Sequence, residues 1–409
     1  MRMAVLVALC MFLPFVGACD SQGGNTDDGN ENGEQEEVER EEYTVEEFAM
    51  GVDLSYVNQV QDYGGVYRDS TGAEVNPYAH SAERGANVVR VRLWHDPEWV
   101  REKVYEDATV PLYSGLADVT ETVRKAKAQD MAVNLDLHYS DVWADPETQD
   151  VPEAWHDIER LEVLKDSVYQ YTRRTLQHLN REGLMPEMVQ IGNETNCGMM
   201  YTDAPADFPK LNVCDGGHWD NLGEVLNSGI RAVRDVAENS DVDPKILLHV
   251  AQPENVEWWF DNVTSQGNVS NFDVVGFSYY APWSDVPLNE VSDRVATFRE
   301  DYQREVMILE TAYSWTMEGA DDYGNIFGAD SRVDGYPATP EGQKAYVIDL
   351  TQEVIDGGGG GVMYWEPAWI PSDMRDLWGQ GSSWENNAFF DFQGEALPVF
   401  DFLTHPYSF

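Results

Sequence analysis

VQIGNET (189–195) and VMILETAY (306–313) are the two stretches on which the fold turns. Each is a run of apolar and β-branched residues that stops at a glutamate, Glu194 in the first and Glu310 in the second. Short apolar runs of this kind are strands buried on both faces. A carboxylate at the end of such a strand stands at the rim of a sheet, where a ligand can reach it.

Taken with its neighbouring residues, the first run spans 188–194. Six more runs share its character: AMGVDLSY (49–56), NVVRVRLW (87–94), AVNLDLHY (132–139), ILLHVAQ (246–252), FDVVGFSYY (272–280) and GVMYWEP (361–367). Helical patterns lie between them, over 77–86, 116–130, 158–182, 220–239, 253–266, 287–304 and 338–356. Gly85, Gly183 and the glycine run 357–361 are helix stop signals. Strands that alternate with helices and are almost wholly apolar form a parallel sheet. Eight such units in one chain favour closure, so the fold class expected is α/β, a (β/α)8 TIM barrel in a single catalytic domain. No GxGxxG opens a helix after the first strand and no Walker motif is present, so nothing supports a nucleotide-binding fold.

The ends of the chain's first fifty residues read differently. Arg2 precedes an apolar run over 3–16, and Val16-Gly17-Ala18-Cys19 follows. Residues 1–18 read as a signal peptide, too short for a confident membrane span. Small residues before a cysteine resemble a bacterial lipobox, with Cys19 as the lipidated N-terminus. An ordinary cleaved signal peptide is the alternative. Residues 19–47 are rich in Asp, Glu, Gly, Asn and Gln and read as an acidic disordered linker, with the folded domain over 48–409. The chain is therefore expected to be exported and tethered to the cell envelope through lipid alone, or otherwise secreted.

The formal charge is −48. Residues 20–47 hold twelve carboxylates and one Arg, so the folded part carries most of the charge. Phosphate would be repelled, which excludes nucleic acid as a partner, and an anionic polysaccharide is disfavoured for the same reason. A neutral glycan meets no such barrier. Dense surface carboxylates repel one another unless salt screens them, so the melting temperature should rise with NaCl. A melting curve that does not move with salt would contradict a saline origin for this surface.

In barrels of this class the reacting groups sit at the C-terminal ends of the strands. Polar and aromatic residues stand there on every strand, among them Asp53, Arg92, Trp94, Asp136, His138, Asn193, Glu194, His249, Tyr280, Glu310 and Trp365. Two glutamates on one rim meet the need of glycoside hydrolysis with retention, in which one acid protonates the leaving oxygen and one carboxylate attacks carbon. The 12% aromatic content, with 13 Trp and 20 Tyr, suits sugar rings that stack on indole and phenol faces. A metal-dependent hydrolase is disfavoured, because no HExxH or close His pair occurs.

GVDLSYV, GANVVRVRLWHDP, LDLHYSDVWADP, QIGNETNCGM, GFSYYAPW, ILETAY and MYWEPAWIP resemble glycoside hydrolase family 53, the arabinogalactan endo-β-1,4-galactanases. The resemblance spans about residues 48–409. It implies endo-hydrolysis of galactan, a neutral polysaccharide partner, no required cofactor, Glu194 as acid/base and Glu310 as nucleophile. Arg92 is the expected cationic donor to Glu310, with a barrel salt bridge to Asp53 or Asp136 as its alternative. Asn193 is expected to bond the sugar 2-hydroxyl. His138 and Tyr280 are expected to position sugar or carboxylates, and Trp94, Trp143 and Trp365 to stack on substrate, Trp365 foremost. Some bacterial relatives of the family bind calcium between the loops after strands seven and eight. Here Asp321 and Asn325 stand where oxygen ligands would lie, but Tyr323 replaces an expected His, which puts calcium in question.

Cys197 and Cys214 bracket the loop after VQIGNET. In an exported protein they are expected to pair, contributing about 3 kcal/mol, with two free buried thiols as the alternative. The chain is expected to act as a monomer. The competing readings are another retaining β-1,4-glycanase, a mannanase or cellulase, and a surface glycan-binding lipoprotein without catalysis.

Overall fold

A computed structural model of the chain describes residues 39–409. The signal peptide, Cys19 and the linker up to residue 38 lie outside the described residues. Eight parallel strands close into one barrel in sequence order: β1 (Ala49–Asp53), β2 (Val88–Leu93), β3 (Ala132–Leu137), β4 (Met188–Ile191), β5 (Lys245–Ala251), β6 (Val274–Tyr279), β7 (Glu305–Thr311) and β8 (Gly361–Tyr364). Ala49 pairs with Gly361 and Val52 with Tyr364, which seals the cylinder. The expected fold class is therefore found, and every expected strand is present within its range or one residue beyond.

The helices are α1 (Val57–Asp62), α2 (Pro77–Glu83), α3 (Leu116–Lys127), α4 (Leu161–Arg181), α5 (Trp219–Ala237), α6 (Val256–Ser265), α7 (Val291–Tyr302) and α8 (Pro340–Asp356). Asn76 caps α2 through its side chain, which accepts from the N–H groups of Tyr78 and Ala79. Only α1 was not expected. Its six residues, VNQVQD, are too few for a helical period to stand out, and it forms because Val57 and Val60 are fully buried.

One expected boundary moves. Residues 39–47 do not belong to a disordered linker but pack on the barrel. The Tyr43 hydroxyl donates to His405 O at 2.5 Å, and its ring packs against Tyr407 and Phe409. Glu41 N–H donates to Thr404 O, and Asn87 Nδ2 donates to Tyr43 O. Tyr43, with Glu41, ties down a segment whose composition otherwise reads as disordered.

Alternation along the strands sorts side chains into two cores. Outward residues such as Val89, Val91, Leu135, Ile191 and Phe277 pack beneath the helices. Inward residues near the strand starts form a separate apolar floor of Ala49, Val88, Met188, Leu247, Val274, Met307, Leu309 and Met363. Above this floor the barrel interior turns polar, with Asp53, Arg90, Asn134, Asp136, Gln190 and His249 all buried.

Strict alternation would point Leu309 inward and Glu310 outward. It fails at one place. The β6–β7 register runs Phe277 to Ile308 and then Ser278 to Glu310, a bulge that skips Leu309. The extra residue lets both Leu309 and Glu310 face the interior. Gly276 makes this room, since a Cβ there would meet Leu309 Cδ1 at 2.3 Å.

Candidate active site

Glu194 follows β4 in a left-handed backbone conformation with φ of 44°. Tyr139 after β3, Gln252 after β5 and Glu366 after β8 share this feature, with φ of 52°, 63° and 46°. Such conformations cost about 1–3 kcal/mol each and are held by their surroundings. Their gathering at one rim marks where the fold spends stability on geometry.

The two glutamates are served differently. Glu310 Oε1 lies 2.9 Å from Arg90 Nη2, and Oε2 accepts from the Tyr280 hydroxyl at 2.9 Å. Glu194 Oε1 meets only the Ser278 hydroxyl, at 2.5 Å. Both carboxylates are buried. Burial, and then the Glu310 charge, hold the Glu194 carboxyl well above the usual carboxylate range. Burial also pushes Glu310 up, to about 7, against the pull of Arg90. The cation and the phenol thus favour the ionised form at Glu310, while Glu194 has a hydroxyl alone.

Arg90, not Arg92, is the cation beside Glu310, which corrects the sequence reading. Arg90 Nη1 lies 2.8 Å from Asp53 Oδ2, and Nη2 lies 2.8 Å from both Asp136 Oδ2 and Asn193 Oδ1. Burial alone would lower the Arg90 pKa, but three carboxylates outweigh it and the guanidinium stays charged. Arg92 points into the barrel one pleat nearer the rim. Its Nη1 lies 2.5 Å from Glu366 Oε1, and its guanidinium sits 4.0 Å from the Tyr56 ring, 4.2 Å from Trp143 and 4.9 Å from Trp94. Its Nε and Nη2 have no hydrogen-bond partner, so the aromatic faces are their main contact.

His138 Nδ1 accepts from Ala144 N–H at 3.1 Å, so Nε2 carries the hydrogen and donates to Asp136 Oδ2 at 2.9 Å. Burial raises Asp136, but Arg90 and then His138 more than offset it, and the carboxylate lies below its usual range. Asn193 Oδ1 accepts from Arg90 and from Gln190, and Nδ2 donates to Ala144 O at 2.7 Å. One Nδ2 hydrogen remains free for a ligand.

Among the aromatic candidates, Trp143 and Trp365 are half-buried and stand 5.5 Å apart at 60°. Trp94 is a correction: it is 1% exposed and cannot offer a face to substrate. Its ring is covered by Trp143, edge-on at 5.5 Å, and by the Arg92 guanidinium, so it supports the Trp143 wall. Trp283 was not singled out in the sequence. It is half-exposed beside the site, edge-to-face with Tyr280 at 5.2 Å and with Phe327 at 5.0 Å. GFSYYAPW contained it, but only the fold shows which aromatic of that run faces outward. Cys197 and Cys214 are joined in a disulfide that closes the loop following Glu194.

The residues at the calcium position do not fit that ion. Both Asp321 oxygens accept backbone N–H groups, from Tyr323 and Ser382 at 2.8 Å, and the Tyr323 hydroxyl donates to Asp376. Asn325 Oδ1 and Glu385 Oε2 are the buried side-chain oxygens left without partners there, against the six to eight oxygens that calcium takes. Among the described residues no group of three or more His, Cys, Asp or Glu could hold a metal.

The profile of Glycosyl hydrolase family 53 matches residues 49–403. The chain belongs to this family. It is 42% identical to the arabinogalactan endo-β-1,4-galactanase of Cellvibrio japonicus, over 88% of this chain and 92% of that one. It is 31% identical to the endo-β-1,4-galactanase of Bacillus subtilis, over 86% and 84% respectively. In structure it is similar to the family 53 catalytic domain of Ignisphaera aggregans, with a TM-score of 0.78 and 31% identity over 91% of this chain and all of that one. Like its family, the chain is a glycoside hydrolase.

Proposed function

We propose that the chain hydrolyses internal β-1,4-galactosidic linkages of galactan and arabinogalactan, with retention at the anomeric carbon. The observation that carries this reading is the unequal service of the two rim glutamates, one held by a cation and a phenol, the other by a hydroxyl alone. The names of the relatives in the same family supply the substrate class.

In the first step the Glu310 carboxylate attacks the anomeric carbon while Glu194 gives its proton to the departing glycosidic oxygen. In the second, Glu194 takes a proton from water, the resulting hydroxide attacks the same carbon, and the Glu310 carboxylate leaves. Arg90 and Tyr280 keep Glu310 ionised and aimed. The free Asn193 Nδ2 hydrogen is offered to the sugar 2-hydroxyl, a contact that strengthens as charge develops. His138 fixes Asp136 and the Ala144 loop, and Trp143 and Trp365 are the stacking faces. Export through residues 1–18 and anchoring through a lipid on Cys19 complete the reading, supported by the apolar run and the small residues before that cysteine. The acidic surface suits a neutral glycan, and the chain acts as a monomer.

The test is product analysis on potato galactan, β-mannan and cellulose. Galactan alone should yield a ladder of short β-1,4-galacto-oligosaccharides. Activity confined to mannan or cellulose would overturn the substrate assignment.

A further inference from the structure

Ser278 and His249 have no part in the two steps above, yet both are fully buried against the acid. Ser278 Oγ lies 2.5 Å from Glu194 Oε1 and 3.0 Å from His249 Nε2. His249 Nδ1 lies 2.8 Å from Asn193 Oδ1. The orientation of this chain is set at its Asn193 end. Asn193 cannot turn its amide over, because Nδ2 donates to Ala144 O and Oδ1 accepts from Arg90. Facing that oxygen, His249 Nδ1 carries the hydrogen, and Nε2 turns a lone pair to Ser278. Gln190 Nε2 also approaches Nδ1, at 3.0 Å, but its two hydrogens have Gly192 O and Asn193 Oδ1 as acceptors. The Glu194 N–H also points at Nδ1, from 3.3 Å, a weaker demand than the 2.8 Å approach of the Asn193 oxygen. Burial, and then Arg90, keep the imidazole neutral.

The Ser278 hydroxyl thus has one hydrogen and two candidate acceptors, His249 Nε2 and an ionised Glu194. Only when Glu194 is protonated are both contacts made. Then Glu194 donates to Ser278 Oγ and Ser278 donates to His249 Nε2. When Glu194 is ionised, the hydroxyl turns to its carboxylate and His249 Nε2 is left without a donor. We propose that Ser278 and His249 are positioning residues that hold the catalytic proton on Glu194 until a leaving group takes it. No proton enters the imidazole; the hydroxyl only rotates. This rests on Glu194 being the acid/base.

The charged and titratable groups facing the pair are few. Glu194 faces Glu310 from β7, Asp145 from the loop after β3, Arg90 from β2 and Tyr280 after β6. His249 faces Arg90 from β2, and Asp136 and His138 from β3 and its end. None of them offers His249 Nε2 a second donor.

The pH profile of kcat/KM tests the proposal, because its alkaline limb reports the acid of the free enzyme. His249→Phe removes the acceptor that only protonated Glu194 can exploit, so the limb should fall by about one pH unit. In a Ser278→Ala background the same substitution should cause no further shift, since the link is gone. Equal shifts in both backgrounds, or no shift in either, would overturn the proposal. Nitrogen NMR of the intact enzyme labelled at histidine decides the matter even where His249→Phe does not fold. His249 should show a protonated Nδ1 and a bare Nε2 below the alkaline limb, and the opposite tautomer or an imidazolium would overturn it. Glu194→Ala, assayed on an aryl galactoside with a good leaving group, separates the two readings. If that variant keeps the alkaline limb, Glu194 is not the acid and both fall. If it loses the limb while His249→Phe leaves it unmoved, the proposal alone falls.

Discussion

Glu310→Ala is expected to lower kcat on galactan by about 10^5-fold or more, the scale on which removing a covalent nucleophile acts. The substitution deletes the group proposed to attack carbon, and Glu366 is not held to take its place. Glu366, the remaining rim glutamate, lies 2.5 Å from Arg92 Nη1 and is fully buried. Glu194→Ala should cost about 10^2–10^4-fold on galactan, the range for a general acid. Its loss should shrink on an aryl galactoside whose leaving group needs no proton, whereas the loss at Glu310 should not. Initial rates on both substrates check this. Equal losses on the two substrates for Glu194→Ala would contradict its role as acid.

Arg90→Met should have the largest effect on stability. The guanidinium lies within 2.9 Å of Asp53, Asp136 and Glu310, and all four groups are buried. Removing one partner of such a set leaves charges in a dry interior, at a cost of about 3–5 kcal/mol. Urea unfolding followed by tryptophan fluorescence measures it. The same change removes the cation that favours ionised Glu310, so the Glu310 pKa should rise. Glu310 must be ionised to attack, and the acid limb of kcat/KM should therefore move to higher pH. Arg90→Lys keeps the charge but not the fork that reaches three carboxylates, and should fall between Met and the parent. An Arg90→Met protein of parental stability with an unmoved acid limb would exclude the central role given to this residue.

The barrel was legible in the sequence because buried parallel strands are short, apolar and regularly spaced, and the placing of Glu194 and Glu310 at its rim because each ends such a run. Contact partners were less legible. NVVRVRLW sends Arg90 and Arg92 to the same face, and nothing local says which of them reaches β7. Arg92 is nearer the strand end, but Tyr56, Trp94 and Trp143 claim its guanidinium from three other segments. The inward aim of Glu310 was hidden for a different reason. Period-two reading from Met307 and Leu309 points Glu310 away from the site, and only the bulge against Ser278 reverses it. Trp94 misled because a strand-end indole reads as a platform until its cover is known. Tyr43 was lost in an acidic background because its partners, Tyr407 and Phe409, lie at the far end of the chain.

The covalent intermediate tests the central claim most directly. The enzyme would be incubated with a 2-fluoro-substituted β-galactoside bearing a good leaving group, which slows the second step more than the first. Peptide mapping by mass spectrometry then locates the sugar. The account predicts one galactosyl adduct, on Glu310, that is released as turnover resumes. An adduct on Glu194, or steady turnover of galactan to the α anomer with no adduct at all, would contradict it.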